Sequence, residues 1–492
     1  MQIYKAIVNF YLNNYNSRKK ISMSALVAFM FLILVSGCKK LVHIPEPVDT
    51  ITTVKTFSNS GSANSAVAGI YYKMSSANQS SPFYGRLTVY PALTADELRV
   101  STGTETFYQN NSIPSTEDKF WGGIYSAIYS ANAVIEGLQA SKTLTAEIKN
   151  QYTGEAKFMR ALCFFYLTNL FGDVSLVNNT DFATNSLLKR TPSDQVYQQI
   201  VNDLQDAQDQ LPSDYSVSGG ERTRANKWAA TALLARVYLY LGKWAKAEEQ
   251  ATEVLNNSGT YSLCEDLNNV FLKSSQETIL QLEINEYPYA TYEGSQFIPE
   301  YQTKDFDSAT IASNWMYFVP NYYLTDQLVN TFESGDQRKE NWLINTGLLN
   351  GTNYYYPYKY KVRRGSAGSV SEYNILLRLA ELYLIRAEAR AKQNNLNGAI
   401  SDLNFIRLRA SLTGVSSSLS QTQILDDIAQ ENRVEFFAEY GHRWFDLKRT
   451  GQADAILIPI KGSNWQTTDQ LYPIPKSELL LNPNLTQNLG YQ

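Results

Sequence analysis

Residues 431–451 restrict the possible folds more than any other stretch, because they combine an apolar helical face with closely spaced charges. Small and apolar residues recur there at intervals of three and four, the period of an α-helix packed on one side. The residues of this face are Val434, Phe437, Ala438 and Gly441. We therefore predict a helix that packs into the protein and breaks at Gly441.

Two large aromatic residues, Trp444 and Phe445, follow this break among ionisable groups. Burial of an unpaired charge is costly, so charged side chains that go inward with these rings must form ion pairs. The groups concerned are Glu435, Glu439, Arg443 and Asp446. We interpret the segment as structural rather than catalytic, since a single histidine beside Arg and Trp supplies no nucleophile and no set of metal ligands.

Helical periodicity extends over much of the remaining chain. Apolar positions three and four residues apart run through residues 124–138, 152–166 and 196–211. The third run follows Thr191-Pro192-Ser193-Asp194, a helix start with proline in the first turn, and stops at Pro212. The sequence therefore predicts a mainly α protein built from helix pairs.

One internal repeat occurs in the chain, with residues at offsets 0, 3, 7, 9, 12, 16 and 19 in each copy. The first copy consists of Ala235, Tyr238, Gly242, Trp244, Ala247, Ala251 and Val254, and the second of Ala387, Arg390, Asn394, Leu396, Ala399, Leu403 and Ile406. The pattern is typical of a tetratricopeptide (TPR) helix pair, although the second copy has lost the Tyr and the Gly. Because 152 residues separate the copies, they can stack only if the chain returns, with the earlier helix pairs completing the layer.

Residues 257–370, between the two copies, lack a helical period and are rich in aromatic residues. Pro, Gly, Asn and Ser interrupt this part, and short alternations such as residues 278–284 predict a few small strands. We expect loops mounted on a rigid helical scaffold, a placement that suits ligand binding.

The N-terminus carries the features of a secretory signal. Arg18, Lys19 and Lys20 precede an apolar run of eleven residues, 25–35, which is too short to span a bilayer. The run ends in Ser36-Gly37-Cys38, small residues before a cysteine, as in the lipobox of bacterial lipoproteins. We expect residues 1–37 to be a lipoprotein signal peptide, Cys38 to be the acylated residue, and residues 38–62 to form an extended tether.

Composition excludes several classes of protein. The net charge of −4 comes from 43 basic and 47 acidic residues mixed along the chain, so no basic field exists to bind nucleic acid. Besides Cys38, only Cys163 and Cys264 are present, which supports neither a disulfide framework nor a zinc site, and we expect no metal and no cofactor. The 34 tyrosines suit surfaces that stack on polar ring-shaped or peptide ligands.

Six segments in order give the chain its resemblance to a known family. The most specific is Glu431-Asn-Arg-Val-Glu-Phe-Phe-Ala-Glu-Tyr-Gly-His-Arg-Trp-Phe-Asp-Leu-Lys-Arg449. The others are the lipobox at Cys38 and residues 154–173, 228–240, 379–389 and 473–478. Together they resemble the SusD/RagB family of nutrient-binding outer-membrane lipoproteins. On this basis we divide the mature chain into an N-terminal helical part with TPR units, 63–275, and a C-terminal part, 276–492, which is loop-rich and then helical.

The resemblance implies a TPR-containing helical body with an irregular ligand-binding half. It also implies a lipid-anchored position at the outer membrane, facing the cell exterior, where the protein caps a SusC-like TonB-dependent transporter. Such proteins capture glycans, or in some branches peptides, for import, and no catalysis is implied. Lys39 and Lys40 follow Cys38 where acidic residues often accompany surface export, so the sequence leaves surface or periplasmic facing open.

Aromatic residues of the loops are the candidate ligand contacts, since flat rings stack on sugar faces while amide groups bond hydroxyls. The candidates are Tyr108, Asn110, Tyr287, Tyr289, Tyr292, Asn314, Trp315 and Tyr317.

Two alternative functions remain open from the sequence. A glycoside hydrolase would need two carboxylates facing each other across a cleft, which the adjacent Asp96 and Glu97 cannot provide by themselves. A TPR scaffold that binds only proteins would make the aromatic loops dispensable.

Overall fold

The computed structural model describes residues 53–76, 81–103, 105–110 and 117–491. The predicted signal peptide, Cys38 and most of the predicted tether lie outside these residues.

Twenty α-helices account for most of the described chain. In the first half they are α1 (Thr53–Thr56), α2 (Ser60–Ser75), α3 (Leu87–Thr94), α4 (Thr106–Gln109), α5 (Glu117–Ala140), α6 (Ala146–Phe171), α7 (Phe182–Asn185), α8 (Ser193–Gln210), α9 (Lys227–Tyr240) and α10 (Trp244–Leu255). In the second half they are α11 (Tyr292–Phe297), α12 (Ser308–Ser313), α13 (Asp326–Val329), α14 (Gln337–Trp342), α15 (Leu379–Lys392), α16 (Leu396–Arg409), α17 (Gln421–Glu435), α18 (His442–Arg449), α19 (Ala453–Lys461) and α20 (Lys476–Leu481).

Six short strands form three separate antiparallel pairs in the described chain. They are β1 (Leu98–Val100), β2 (Thr278–Leu282), β3 (Tyr322–Leu324), β4 (Leu343–Leu349), β5 (Thr352–Pro357) and β6 (Asn374–Arg378), paired as β1 with β3, β2 with β6 and β4 with β5. The prediction of a mainly α fold with a few short strands is confirmed.

Eight helices form one continuous row in which each helix packs on the next. Their order is α5, α6, α8, α9, α10, α15, α16 and α17. The chain leaves this row after α10 and re-enters it at α15, so the intervening residues form an irregular insertion. The chain thus returns, which is the condition under which the two TPR-like copies can stack, and they meet directly through α10 and α15, with the earlier helices completing the layer.

Small residues and ion pairs hold the two TPR-like copies together. Ala247 and Ala251 on α10 are fully buried, and side chains of that size allow helices to approach closely. Arg390 on α15 contacts Glu248 on α10 at 2.8 Å and Asp402 on α16 at 2.8 Å. One guanidinium thus links three helices of the row.

A buried network of charges joins the insertion to the helical row. Glu435 at the end of α17 accepts hydrogen bonds from Arg378 at 2.6 Å and Arg338 at 3.0 Å, and it also pairs with Arg409. Arg378 in turn pairs with Glu439 at 2.8 Å. All five side chains are buried or nearly so.

Arg443 and Asp446, the other two groups predicted to pair, also form ion pairs. Arg443 donates to Asp96 at 2.8 Å, and Asp446 accepts from Arg449 at 2.6 Å. The predicted pairing of all four charged groups is confirmed.

The helix predicted through Gly441 ends earlier, at Glu435. Ala438 and Tyr440 adopt positive φ angles of 51° and 40°, which an α-helix cannot contain. The buried ammonium of Lys359 donates to the carbonyl oxygens of Glu435 and Phe437, at 2.8 and 2.9 Å. It therefore satisfies carbonyl groups that the end of the helix would leave without partners.

Candidate functional site

An open cleft of about 310 Å³ lies where two parts of the insertion meet the turn at residues 82–86. Its lining residues are Tyr84, Tyr287, Pro288, Tyr292, Ser295, Gln296, Arg363 and Arg364. Three phenol rings, one amide and two guanidinium groups therefore face a common space.

The turn at residues 82–86 places two of these rings against each other. Tyr84 and Tyr292 pack edge to face, with 5.6 Å between ring centroids. Gly85 has a positive φ of 75°, and a Cβ atom at this position would lie 2.1 Å from the Tyr292 ring. Glycine is thus required here both for the backbone conformation and for the position of Tyr292.

Helix α11 carries Tyr292, Ser295 and Gln296 and is fixed by buried polar contacts. Glu293, one residue after Tyr292, accepts hydrogen bonds from Thr88 at 2.6 Å and Asn374 at 2.7 Å. Burial raises the pKa of Glu293 above its ordinary value, while these two hydrogen bonds oppose the rise. These two hydrogen bonds fix the short helix α11, and with it the side of the cleft that this helix forms.

Two adjacent arginines, Arg363 and Arg364, also line the cleft. Arg363 donates to the carbonyl oxygen of Ser295 at 2.9 Å and pairs with Glu300, so its position is fixed. Arg364 also contacts Glu300, at 3.1 Å, but more than half of its side chain is exposed. Arg364 is consequently the guanidinium with donors available to a ligand.

The phenol of Tyr84 is a stable hydrogen-bond donor. Burial, followed by the charges of Glu293 and Glu286, raises the pKa of Tyr84 to about 12. Its hydroxyl group therefore stays protonated at neutral pH and can donate to a sugar oxygen or a peptide carbonyl.

Of the eight predicted ligand contacts, the cleft brings together Tyr287 and Tyr292. Tyr287 is the most exposed tyrosine of the described chain, at 69%. Tyr289 lies next to it, with the two rings edge to face at 6.5 Å. These three residues form one group.

Asn314, Trp315 and Tyr317 lie on a neighbouring loop rather than in the cleft lining. Trp315 is half-buried and packs on a small apolar cluster that contains Phe318 and Tyr354. The exposed Tyr317 ring lies edge to face with Tyr301 at 6.0 Å. Asn314 donates its amide to the Thr310 carbonyl of its own turn, at 3.1 Å.

Asn321 connects this loop to the cleft through two hydrogen bonds to Gln296. Asn321, shortly after Tyr317, donates its side-chain amide to the Gln296 side chain at 2.7 Å and its backbone NH to the Gln296 carbonyl at 3.0 Å. The predicted Trp315 group and the cleft are therefore adjacent parts of the insertion.

Tyr108 and Asn110 lie outside both the cleft lining and the loop that carries Trp315. The Tyr108 ring lies near two cations, with Arg99 4.3 Å and Lys461 4.9 Å from its centroid. Asn110 is buried, has a positive φ of 54°, and has no hydrogen-bond partner for its amide within the described ranges. The structure therefore groups neither residue with the cleft.

Six lining residues were missed by sequence reasoning, namely Tyr84, Pro288, Ser295, Gln296, Arg363 and Arg364. The Tyr84-Gly85 pair after Pro82 and the adjacent arginines were the available signals. Both were weak, because a turn and a charge pair usually lie on an ordinary solvated surface.

Among the described residues, no group of three or more His, Cys, Asp or Glu side chains is arranged to hold a metal ion. No helix in the described ranges is both long and apolar enough to cross a bilayer.

The fold and the cleft together indicate a helical-repeat protein with a ligand-binding cleft that is built largely from irregular segments. A sequence model of the SusD family matches residues 195–491, and a second, described as "Starch-binding associating with outer membrane", matches residues 51–239. Since the first match covers more than half of the chain, the chain belongs to the SusD family, and the predicted resemblance is confirmed.

Individual relatives agree over most of the chain. SusD-like protein P38 of Formosa agariphila is 26% identical over 94% of this chain and 99% of its own length. The starch-binding protein SusD of Bacteroides thetaiotaomicron is 26% identical over 73% of this chain and 75% of its own length. A crystal structure of a SusD superfamily protein from Bacteroides vulgatus has a TM-score of 0.75 at 22% identity, over 88% of this chain and 100% of that one, which supports the fold.

Proposed function

We propose that this protein is a non-catalytic, lipid-anchored binding protein of the outer membrane that captures oligosaccharides in the Tyr84–Tyr287–Tyr292 cleft. It delivers them to a SusC-like TonB-dependent transporter, which it caps. The observation that carries the proposal is the cleft itself, which brings one exposed and two half-buried phenol rings together with amide and guanidinium groups.

The chemistry of the cleft suits a sugar. The exposed ring of Tyr287 offers a flat apolar face for stacking on a pyranose. Gln296 and Arg364 offer amide and guanidinium donors, and the phenol of Tyr84 remains protonated. Tyr289, beside Tyr287, and the adjacent Trp315 and Tyr317 extend the aromatic surface for a longer chain.

A binding role is favoured over hydrolysis by the composition of the cleft. The described lining residues include no Asp or Glu, whereas a glycosidase needs two carboxyl groups about 5–9.5 Å apart across the bond to be cleaved. Glu300, which lies beside the cleft, pairs with both arginines of the lining.

The relatives support both the ligand class and the location. SusD of Bacteroides thetaiotaomicron is a starch-binding protein, and the family description that matches residues 51–239 includes association with the outer membrane. The lipobox at Cys38 supplies the anchor in this proposal. A peptide ligand is the second candidate, because phenols and arginines also bind extended backbones.

The test is ligand binding by the purified protein and by Tyr287→Ala. Thermal shift against laminarin, starch and xylan oligosaccharides and a peptide panel identifies the ligand, since binding raises apparent stability. Titration calorimetry then compares affinities. We expect Tyr287→Ala to weaken glycan binding by about tenfold, a loss of ~1.4 kcal/mol, with an unchanged melting temperature because the ring is exposed.

Tyr129→Ala is the matched control, since Tyr129 is 55% exposed on α5 and does not line the cleft. Equal affinities of wild type and Tyr287→Ala for the glycan would move the site elsewhere. A rise in melting temperature with peptides alone would identify a peptide as the ligand. Hydrolysis of an oligosaccharide by the purified protein would show that the protein is an enzyme.

A further inference from the structure

Arg364 is the one arginine in the described part of the chain that is exposed. Every other arginine that the structure describes is buried or half-buried, and several of them, such as Arg236 and Arg390, form ion pairs between helices. The side chain of Arg364 is 55% exposed, and the residue lines the candidate cleft. The packing role that accounts for the buried arginines therefore does not account for Arg364.

Most of the Arg364 guanidinium group is available to a ligand. Its Nη2 atom contacts Oε2 of Glu300 at 3.1 Å, and no hydrogen bond joins its Nε or Nη1 atom to another described residue. The same Oε2 atom also accepts a hydrogen bond from Arg363, so one carboxylate balances two guanidinium groups. One positive charge is left over, and the free nitrogen atoms can donate to an oxyanion in the fork that a guanidinium group offers.

Backbone contacts fix Arg364 beside the exposed ring of Tyr287. The NH group of Gly365 donates to the carbonyl oxygen of Pro288 at 2.9 Å. A Cβ atom on Gly365 would lie 2.3 Å from the carbonyl oxygen of Tyr289, so the two segments approach each other as closely as glycine allows. The cationic group and the stacking face of the cleft are therefore neighbours held by the backbone.

No carboxylate among the lining residues opposes this positive charge. The carboxylate of Glu286, which precedes Tyr287, accepts hydrogen bonds from the hydroxyl groups of Tyr72 and Ser76. Glu293 is buried, and burial raises its pKa. These acids are engaged within the protein, whereas the ionic groups of the cleft lining are both guanidinium groups.

The remaining polar groups of the lining are neutral and tolerate an anion. Burial, followed by the charges of Glu293 and Glu286, raises the pKa of Tyr84 to about 12, so its phenol is uncharged at neutral pH. Gln296 adds a side-chain amide. Both groups can bond sugar hydroxyls.

We infer that the cleft takes an acidic oligosaccharide, in which a carboxylate or sulfate group binds Arg364 while a sugar ring stacks on Tyr287. The inference rests on the proposed function and narrows its ligand class. A hydroxyl group would accept only an ordinary hydrogen bond from Arg364, whereas an oxyanion forms charge-assisted bonds about twice as strong. A hexuronic acid has the required shape, because its carboxylate lies at the edge of the ring and leaves a C–H face for stacking.

The test uses titration calorimetry of the purified full-length protein with pairs of oligosaccharides that differ in their acidic groups. The pairs are oligogalacturonates and their methyl esters, glucuronoxylan and xylan oligosaccharides, and κ-carrageenan oligosaccharides before and after desulfation. We expect binding of at least one acidic member, and an affinity for its neutral counterpart about tenfold lower or less. Raising NaCl from about 0.05 to 0.5 M should weaken binding of the acidic member, because salt screens exposed charges.

Three variants assign the effect to Arg364. Arg364→Gln should lower the affinity for the acidic member by about 10- to 100-fold and leave the neutral member unchanged, since a hydrogen bond to a charged group is lost. Arg364→Lys, which keeps the charge without the fork, should recover part of that loss. Glu300→Gln removes the balancing charge and should raise the affinity by ~2- to 5-fold. Lys142→Gln is the control, because Lys142 is an exposed cation between α5 and α6 that does not line the cleft.

The outcomes separate this inference from the proposed function. Preference for the neutral member of every pair would overturn the acidic ligand and leave the proposed oligosaccharide binding intact. Equal affinity of wild type and Arg364→Gln for an acidic member would also overturn the inference. Failure to bind any oligosaccharide would reject the proposed function and the inference with it. Binding of only the uronic or only the sulfated members would support the inference and identify the oxyanion.

Discussion

The carboxyl group of Glu97 is buried next to the ion pairs that Asp96 forms with Arg433 and Arg443. Its side chain is buried, Oε1 has no hydrogen-bond partner within the described ranges, and Oε2 accepts only the Ala438 backbone NH, at 3.4 Å. The neighbouring Asp96 is held ionised by Arg433 and Arg443. Burial, followed by the charge of Asp96, raises the pKa of Glu97 to about 8. Glu97 is therefore mostly neutral at pH 7.

This shift predicts a pH dependence of stability. Between the ordinary pKa of 4.5 and the folded value of about 8, the folded state binds the Glu97 proton and the unfolded state does not. The stability contributed by Glu97 is complete below this window and falls as pH rises through it, by at most about 1.4 kcal/mol per pH unit. We expect Glu97→Gln to gain stability relative to wild type across the window, measured by urea denaturation. A constant difference would show that Glu97 is ionised in the folded protein.

The charges of the 431–451 segment show how far a sequence can predict residue contacts. Burial of Glu435 and Glu439 among apolar residues required ion pairs, and the pairs exist. Their partners, Arg378 and Lys359, lie 57 and 80 residues away, and no local spacing indicates them. The need for a partner follows from solvation energy, whereas the partner's identity follows from the path of the chain.

At the scale of elements, long helices were predictable and the cleft was only partly so. Amphipathic periods longer than ten residues specify which face is buried, and the helical row follows from them. The cleft combines a turn at 84, a helix at 292–296 and an arginine pair at 363–364, none of which has a period. Tyr287 and Tyr292 could be named because aromatic residues in a stretch without a helical period are informative by themselves.

The close packing of helix α11 against the backbone of Val362 gives a prediction at this scale. A Cβ atom at Gly294 would lie 2.3 Å from the Val362 carbonyl oxygen, a backbone atom that cannot move alone. Gly294→Ala should therefore displace α11 with Tyr292 and Gln296, reduce glycan affinity by about tenfold or more, and cost ~1–3 kcal/mol of stability. Calorimetry and urea denaturation measure the two effects. Gly259→Ala is the control, because no atom lies within 4 Å of the added Cβ atom. Equal glycan affinity and stability of the two variants would show that the packing of α11 on Val362 does not position the cleft residues.

At the scale of the whole molecule, the returning chain joins the predicted 63–275 and 276–492 parts. Arg236 on α9 and Glu381 on α15 are both buried and contact each other at 2.6 Å. Asp96 likewise pairs with Arg433 and Arg443 across more than 300 residues. We propose that the division at 275 describes sequence organisation, while residues 54–491 fold as one unit.

Glu381→Gln tests this unity, because removal of one member of a buried pair destabilises by about 3–5 kcal/mol. If the parts fold together, calorimetry of the wild type shows one transition whose calorimetric and van't Hoff enthalpies agree. Glu381→Gln should then shift that whole transition downward, although the substitution lies only in the C-terminal part. Glu283→Gln, at an exposed position of the same part, should leave it unchanged. Two transitions, of which Glu381→Gln lowers one, would instead show that the TPR-like copies associate as independent domains.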